Sequence, residues 1–252
     1  MNNLQGAIIA AGRGERLRQS GAADLPKPLV EIGGELMLAR QARAMLTAGA
    51  SEVLAIINSE TATVIEHRKL AMPPGLRVMV RDTANSMESL LALGEQLAFG
   101  ETSARFLLAT VDAVIEPHEF ARFTERALAM TAPGEQAGSD ARFDGVLGVV
   151  KWRGDDRPLF TEVTTAGLIT RLGGAETSLV TAGIYLLPAR IFGFGETARN
   201  RGLDAMRKFL AMLIENGVRL GALELESVID VDEAADLAAA RAAAVRSGTG
   251  SG

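Results

Sequence analysis

Residues 4–10 form a nearly continuous apolar run that ends beside glycine, which predicts a strand buried on both faces. A polar loop containing glycine and proline follows from 12 to 34. Over 35–48, Leu38, Ala42, Met45 and Leu46 recur at helical spacing, and Gly49 stands where a C-terminal cap belongs. Strands are predicted at 53–57 and 76–80, with a helix over 61–70 between them and another over 86–97. The run 106–111 is a fourth strand that stops at Asp112. Pro117 then opens a helix whose Phe120, Phe123, Ala127 and Met130 share a face. Regular alternation of strand and helix predicts βαβ units and a mainly parallel sheet.

The second half changes character. Residues 133–140 are a polar, turn-rich interruption, after which strand-like runs at 146–150, 159–163, 168–172 and 180–186 come without full helices between them. Gly167 and the pair Gly173-Gly174 punctuate these runs and predict antiparallel hairpins. A helix over 203–215, a strand over 218–225 and an Ala-rich helix over 233–245 close the pattern. The chain therefore reads as one α/β domain over 1–246, a Rossmann-like, mainly parallel sheet flanked by helices with an antiparallel extension. The Ser/Gly-rich residues 247–252 read as a flexible tail.

Composition narrows the chemistry. The 252 residues carry 26 Lys and Arg against 31 Asp and Glu, a net charge of −5, which argues against nucleic-acid or membrane-surface partners. There is no cysteine, and the two histidines, His67 and His118, lie far apart, so thiol chemistry and histidine-rich metal sites are excluded. Both histidines read as structural or solvated. No basic leader and no apolar stretch of about 20 residues is found, so a cytoplasmic protein is expected. What remains is carboxylate, lysine, arginine, glycine backbone and a hard, oxygen-seeking cation.

The segment Gly12-Arg13-Gly14-Glu15-Arg16-Leu17 directly follows the first strand. Leu17 disfavours a dinucleotide-binding turn, and the absence of Gly-Lys-Ser/Thr disfavours a P-loop. Two glycines still let backbone N–H groups close around an anion, and Arg13 and Arg16 add paired donors; a solvated surface turn is the alternative reading. Pro26-Lys27-Pro28-Leu29 sets one lysine between two prolines, which stiffens the backbone and positions its charge.

Together, the strand, the segment from Ala10 to Leu17 and the Pro-Lys-Pro-Leu that follows resemble the opening of the nucleotidyltransferases that include sugar-1-phosphate nucleotidyltransferases and the molybdenum-cofactor guanylyltransferase. The resemblance extends to the strand ending at Asp112, to the segment from Val180 to Tyr185, and to Ile229-Asp230-Val231-Asp232 before the last helix. It implies the nucleotide-diphospho-sugar transferase fold and transfer of NMP from an NTP to a phosphorylated acceptor, with release of pyrophosphate.

Residue roles follow from the same resemblance. The backbone of Ala10, Ala11, Gly12, Arg13 and Gly14 holds the nucleotide phosphates, Arg16 stabilises pyrophosphate, and Lys27 meets the charge at the α-phosphate. Asp112 and Asp230 hold Mg²⁺, although Asp230 can also be read as a helix N-terminal charge. Asn85 and Ser89, in Asp82-Thr83-Ala84-Asn85-Ser86-Met87-Glu88-Ser89-Leu90, are similar to enzymes that pair CTP with phospho-alcohols such as phosphocholine or inositol phosphate; Asn85 or Ser86 as a plain helix cap is equally compatible. Lys151, Thr181 and Gly183 are acceptor-side candidates, and Lys151 can equally be a solvated lysine. Trp152 reads as core or as acceptor-pocket wall. The expected partners are an NTP and a phosphorylated small molecule, with the oligomeric state open. The rivals are a guanylyltransferase of the molybdenum-cofactor type, a non-catalytic nucleotide sensor of the same fold and, third, a dehydrogenase.

Overall fold

The computed structural model describes residues 4–97, 104–132, 143–154 and 158–248. Strand β1 (Gln5–Ala10) is buried along its whole length, as its apolar run requires. A short helix α1 (Glu15–Gln19) and a 3₁₀ turn (Lys27–Leu29) lie within the segment expected as loop. The hairpin β2 (Glu31–Ile32) and β3 (Glu35–Leu36) takes the first two residues assigned to the next helix. Its turn is Gly33-Gly34, both with positive φ (62° and 77°), the arrangement of a two-residue hairpin. Helix α2 (Met37–Thr47) then ends ahead of Gly49, whose φ of 100° suits a left-handed cap.

Strand β4 (Glu52–Ile57), helix α3 (Ser59–Arg68), strand β5 (Leu76–Val80) and helix α4 (Ser86–Gly94) follow. The carbonyls of Asn58 and Asn85 cap α3 and α4, accepting from the Thr61 and Glu88 N–H groups at 2.8 and 3.0 Å. Strand β6 (Arg105–Thr110), the two-residue β7 (Ala113–Val114) and helix α5 (Pro117–Thr131) complete the first half. The turn-rich interruption at 133–140 lies outside the described residues.

Strands β8 (Gly145–Lys151), β9 (Thr161–Val163), β10 (Ile169–Leu172) and β11 (Leu179–Pro188) form the expected extension. A 3₁₀ segment (Ala189–Phe194) and helix α6 (Gly195–Asn200) come next, unforeseen because neither carries a distinct apolar period. Helix α7 (Met206–Glu215) starts three residues later than its pattern suggested. Strand β12 (Leu220–Glu224), the two-residue β13 (Ile229–Asp230) and helix α8 (Ala234–Gly248) finish the chain. That last helix runs two residues into the segment expected as a tail, and 249–252 lie outside the description.

The central sheet has seven strands in the order β12-β8-β11-β6-β1-β4-β5. Within it only β11 runs antiparallel to its neighbours, β6 and β8, so the parallel character is stronger than the hairpin punctuation implied. The antiparallel pair β9–β10 stands apart as its own ribbon. Alternate strand residues feed two cores. Ile8, Ala55 and Leu107 face α2, α5 and α8, whereas Ile9, Ile56 and Phe106 face α4 and α7. No helix among the described residues is long and apolar enough to cross a membrane.

Phe106 is fully buried in the second of these cores and stacks on Phe192 with ring centroids 5.3 Å apart. Phe106→Ala is expected to lower the unfolding free energy by about 3–5 kcal/mol. A urea melt that registers a loss under about 1 kcal/mol would contradict this packing.

Candidate active site

After β5 the chain crosses back over β1, so β6 lies on the opposite side of β1 from β4. The carboxyl ends of β1 and β6 therefore open on a crevice from which connections diverge, the usual ligand position in open α/β sheets. A cleft of about 1110 Å³ occupies it. All of the predicted nucleotide residues line it: Ala10, Ala11, Gly12, Arg13 and Gly14 from the loop, and Asn85 and Ser89 from the start of α4. Arg13 is largely solvent-facing. The Ser89 hydroxyl is buried and bonded to Thr83 Oγ1 at 2.6 Å, so it shapes the wall rather than offering a free donor. Asn58, which the sequence reading passed over, donates from its amide to the Ala11 carbonyl at 3.2 Å and fixes the loop. Its place between a strand and a helix was the available signal.

The two sequence motifs touch each other. Gly14 has φ 60°, and a Cβ there would sit 2.8 Å from Lys27 Cβ. Only glycine satisfies both the left-handed backbone and that approach. Lys27 is buried in its 3₁₀ turn, 7% exposed, with the Leu29 N–H closing on the Pro26 carbonyl at 2.8 Å. Its ammonium donates to Asp112 Oδ2 at 2.8 Å and to Asp232 Oδ1 at 2.7 Å. Arg16, on α1, donates to the other oxygen of Asp232.

Asp232 carried no site role in the sequence reading, and the structure places it between both predicted catalytic cations. Its signal was its offset from Asp230, since residues two apart in extended chain share a face. The segment reaches Asp112 through a ladder of two pairs, Ile229 with Val114 and Asp230 with Ala113, extended by the Val231 N–H to the Asp112 carbonyl at 3.1 Å. One carboxylate oxygen each from Asp112, Asp230 and Asp232 lie within 4.8 Å of one another.

A second cleft of about 430 Å³ shares Arg16, Thr110 and Asp232 with the first. Thr181 and Gly183 line it, where β11 shifts register. Gly183 has φ 72°, and a Cβ there would sit 2.7 Å from the Thr110 hydroxyl and from Ala113, so glycine permits the close approach. Lys151 is not part of this lining. It is exposed and faces Glu224 at 3.9 Å. Arg207, from the first turn of α7, lines the cleft instead. Trp152 packs edge-on to Phe160 outside the lining, and His67 and His118 are exposed on α3 and α5.

Burial alone would lower the pKa of Lys27, but contact with Asp112 and Asp232 outweighs it and holds the ammonium above its ordinary value. Lost hydration pushes Asp232 up, and Lys27 and Arg16 outweigh that and hold it below the usual carboxylate range. Among the described residues Asp230 makes no such ion pair, and the nearby Lys27 charge only partly offsets what raises it. Lost hydration on the cleft wall and the carboxylates of Asp112 and Asp232 push it up to about 7. The residue still has an exposed edge, so like-charge crowding is the cause to emphasise. Three crowded carboxylate oxygens match the demand of Mg²⁺ for hard oxygen donors, and a divalent cation would relieve the repulsion on Asp230.

The sign of this effect is checkable. A carboxyl whose folded pKa is raised opposes folding above that pKa and is neutral in its effect below the unfolded value of 3.8. Asp230→Asn is expected to raise the Tm of metal-free protein at pH 8, with a gain that fades as pH falls from 7 towards 4. Thermal melts across that range test it, and an unchanged or lower Tm at pH 8 would contradict the crowding.

No curated protein sequence matches the chain, whereas solved structures do so along nearly its full length. The inositol-1-phosphate CTP transferase of T. maritima superposes with a TM-score of 0.69 at 17% identity, covering 94% of this chain and 92% of that one. The CTP:phosphocholine cytidylyltransferase of Streptococcus pneumoniae gives 0.70 at 16% identity, covering 96% and 99%. A UDP-glucose pyrophosphorylase complexed with UDP-glucose gives 0.73 at 12%, covering 97% and 99%. At these identities the likeness shows a shared fold, that of the nucleotide-diphospho-sugar transferases. A family model matches residues 6–182, well over half the sequence: the chain belongs to the MobA-like NTP transferase domain family.

Proposed function

We propose that this nucleotidyltransferase moves NMP from an NTP, with CTP preferred, to a phospho-alcohol or sugar phosphate, releases pyrophosphate and requires Mg²⁺. The observation that carries the reading is the meeting of two clefts at one cluster of fixed charge, made of Lys27, Arg16 and three aspartates. One cleft fits a donor and the other an acceptor, and the charged cluster stands where the two would react.

A phosphate monoester has its second pKa at about 6, so the acceptor is largely dianionic at neutral pH and is its own nucleophile. No histidine base is needed, in keeping with two exposed histidines. The acceptor oxygen attacks the α-phosphorus in line while the bond to the bridging oxygen of the β-phosphate breaks, and pyrophosphate leaves with that electron pair. The protein's part is alignment and neutralisation of charge. In this reading the 10–14 backbone wraps the nucleotide phosphates, Lys27 holds its charge at the α-phosphate, and Arg16 reaches the leaving pyrophosphate. Asp112, Asp230 and Asp232 would hold Mg²⁺, which when bound screens the approach of two anions.

The preference for CTP rests on Asn85. Its carbonyl is engaged by the Glu88 N–H, which leaves the amide NH₂ as a donor at the cleft wall for the O2 common to pyrimidines, and cytosine is favoured among them by the likeness of Asn85 and Ser89 to CTP-using enzymes. The small second cleft, with Thr181 and Gly183 on its wall, suits a compact acceptor, and the inositol-phosphate and phosphocholine enzymes of the same fold support that class. Supplies of NTP and the absence of a membrane-spanning helix among the described residues favour a cytoplasmic setting.

A matrix of four NTPs against phospho-alcohols, sugar phosphates and molybdopterin, read by pyrophosphate release, tests the assignment. CTP with a phospho-alcohol or sugar phosphate is expected to lead. Turnover only with GTP and molybdopterin would assign the guanylyltransferase role, and NTP binding without turnover on any acceptor would assign a sensor. On the productive pair, Lys27→Ala is expected to lower kcat by about 10²–10³-fold with a smaller change in NTP affinity. Asp112→Ala is expected to abolish Mg²⁺-dependent turnover. Wild-type rates in either variant would contradict these roles.

A further inference from the structure

The two cations assigned to the nucleotide phosphates are already occupied within the chain. Lys27 is nearly enclosed and spends two of its three N–H donors on Asp112 and Asp232, and Arg16 is held by Asp232. A phosphate arriving at this site must compete with carboxylates at hydrogen-bond distance for the same donors. The carboxylates in turn belong to the cluster suited to a divalent cation. Among the described residues, Asp232 is the one carboxylate that contacts both Lys27 and Arg16.

We infer that Asp232 is a positioning residue that couples cation binding to phosphate binding by charge exchange. This rests on the reading of the first cleft as a nucleotide-phosphate site. With no divalent cation, Asp232 keeps Lys27 and Arg16 in place but neutralised, and the cleft binds phosphate poorly. A divalent cation on the three aspartates competes with the ammonium and guanidinium for the same oxygens, and the freed N–H donors turn to phosphate. Lys27 keeps its position throughout, because Gly14 and the 3₁₀ turn fix its stem. Removing the Asp232 charge leaves Lys27 paired with Asp112 and frees the Arg16 guanidinium, which already lines the cleft. The consequence is a gain of binding on deletion of a charge, which a purely structural role would not produce.

Pyrophosphate is the probe, and calorimetric titration into the full chain is the measurement, with EDTA and then with excess Mg²⁺. Asp232→Asn is expected to bind pyrophosphate in EDTA about tenfold more tightly than wild type, the scale of one charge-assisted hydrogen bond released. The further tightening on adding Mg²⁺ is expected to be smaller in the variant than in wild type. Asp232→Ser repeats the test if the Asn variant does not fold. Glu233→Gln removes a neighbouring charge that touches neither cation, and its affinity in EDTA is expected to stay within about twofold of wild type. If neither Asp232 variant binds more tightly in EDTA, or if Glu233→Gln gains as much, the coupling role is overturned. If wild type fails to bind pyrophosphate even with Mg²⁺, the nucleotide reading falls and this inference with it.

Discussion

A buried lysine ammonium must find carboxylates, and in this chain that demand ties together segments from its beginning, middle and end. Lys27 lies at the end of a proline-flanked loop, Asp112 just beyond the fourth strand of the parallel sheet, and Asp232 ahead of the last helix. Enclosing an ammonium without partners would cost several kcal/mol, so the fold that buries Lys27 draws stability from Asp112 and Asp232. The short ladder between β7 and β13 does this by holding the third segment against the second. Gly14 contributes from the other side, leaving space for the lysine stem that any side chain would fill.

This one constraint explains the organisation of the site. The chain as a whole is acidic, of net charge −5, yet it gathers positive charge in its clefts. It does so by fixing Lys27 and Arg16 against aspartates at the point where the two clefts join. The switch point between β1 and β6 fixes where the glycine loop lies, and the shift of register in β11 fixes where the second cleft opens. The site is thus assembled mainly from strand ends and loops, with Arg16 from α1, Ser89 from α4 and Arg207 from α7 added at helix starts.

Much of this was legible in the sequence, for identifiable reasons. Residues 4–10, 53–57 and 106–111 are nearly continuous apolar runs between polar breaks, and such runs have few structures open to them other than buried parallel strands. The glycine loop and the Pro-Lys-Pro turn were visible because rare backbone conformations need rare residue types. The hairpin at Gly33-Gly34 was just as visible in its turn residues, but its strands of two residues are too short to show a period. The reading of Lys151 and the neglect of Asp232 share another cause. Both depend on which distant segments meet, and that is set by the β7–β13 ladder and by pairings of β8 that leave no mark in local pattern. Asp230 and Asp232 lie two residues apart, yet one is crowded by like charge and the other is neutralised by two cations.

The central claim is that Lys27 and Asp232 stabilise the fold through each other. A double-mutant cycle of Lys27→Met and Asp232→Asn, read as unfolding free energy in metal-free denaturant melts at pH 7, tests it most directly. The account predicts a coupling energy above about 1 kcal/mol, with the double variant less damaged than the sum of the singles. Additivity within about 0.5 kcal/mol would contradict it, because residues that do not share an interaction behave in that way.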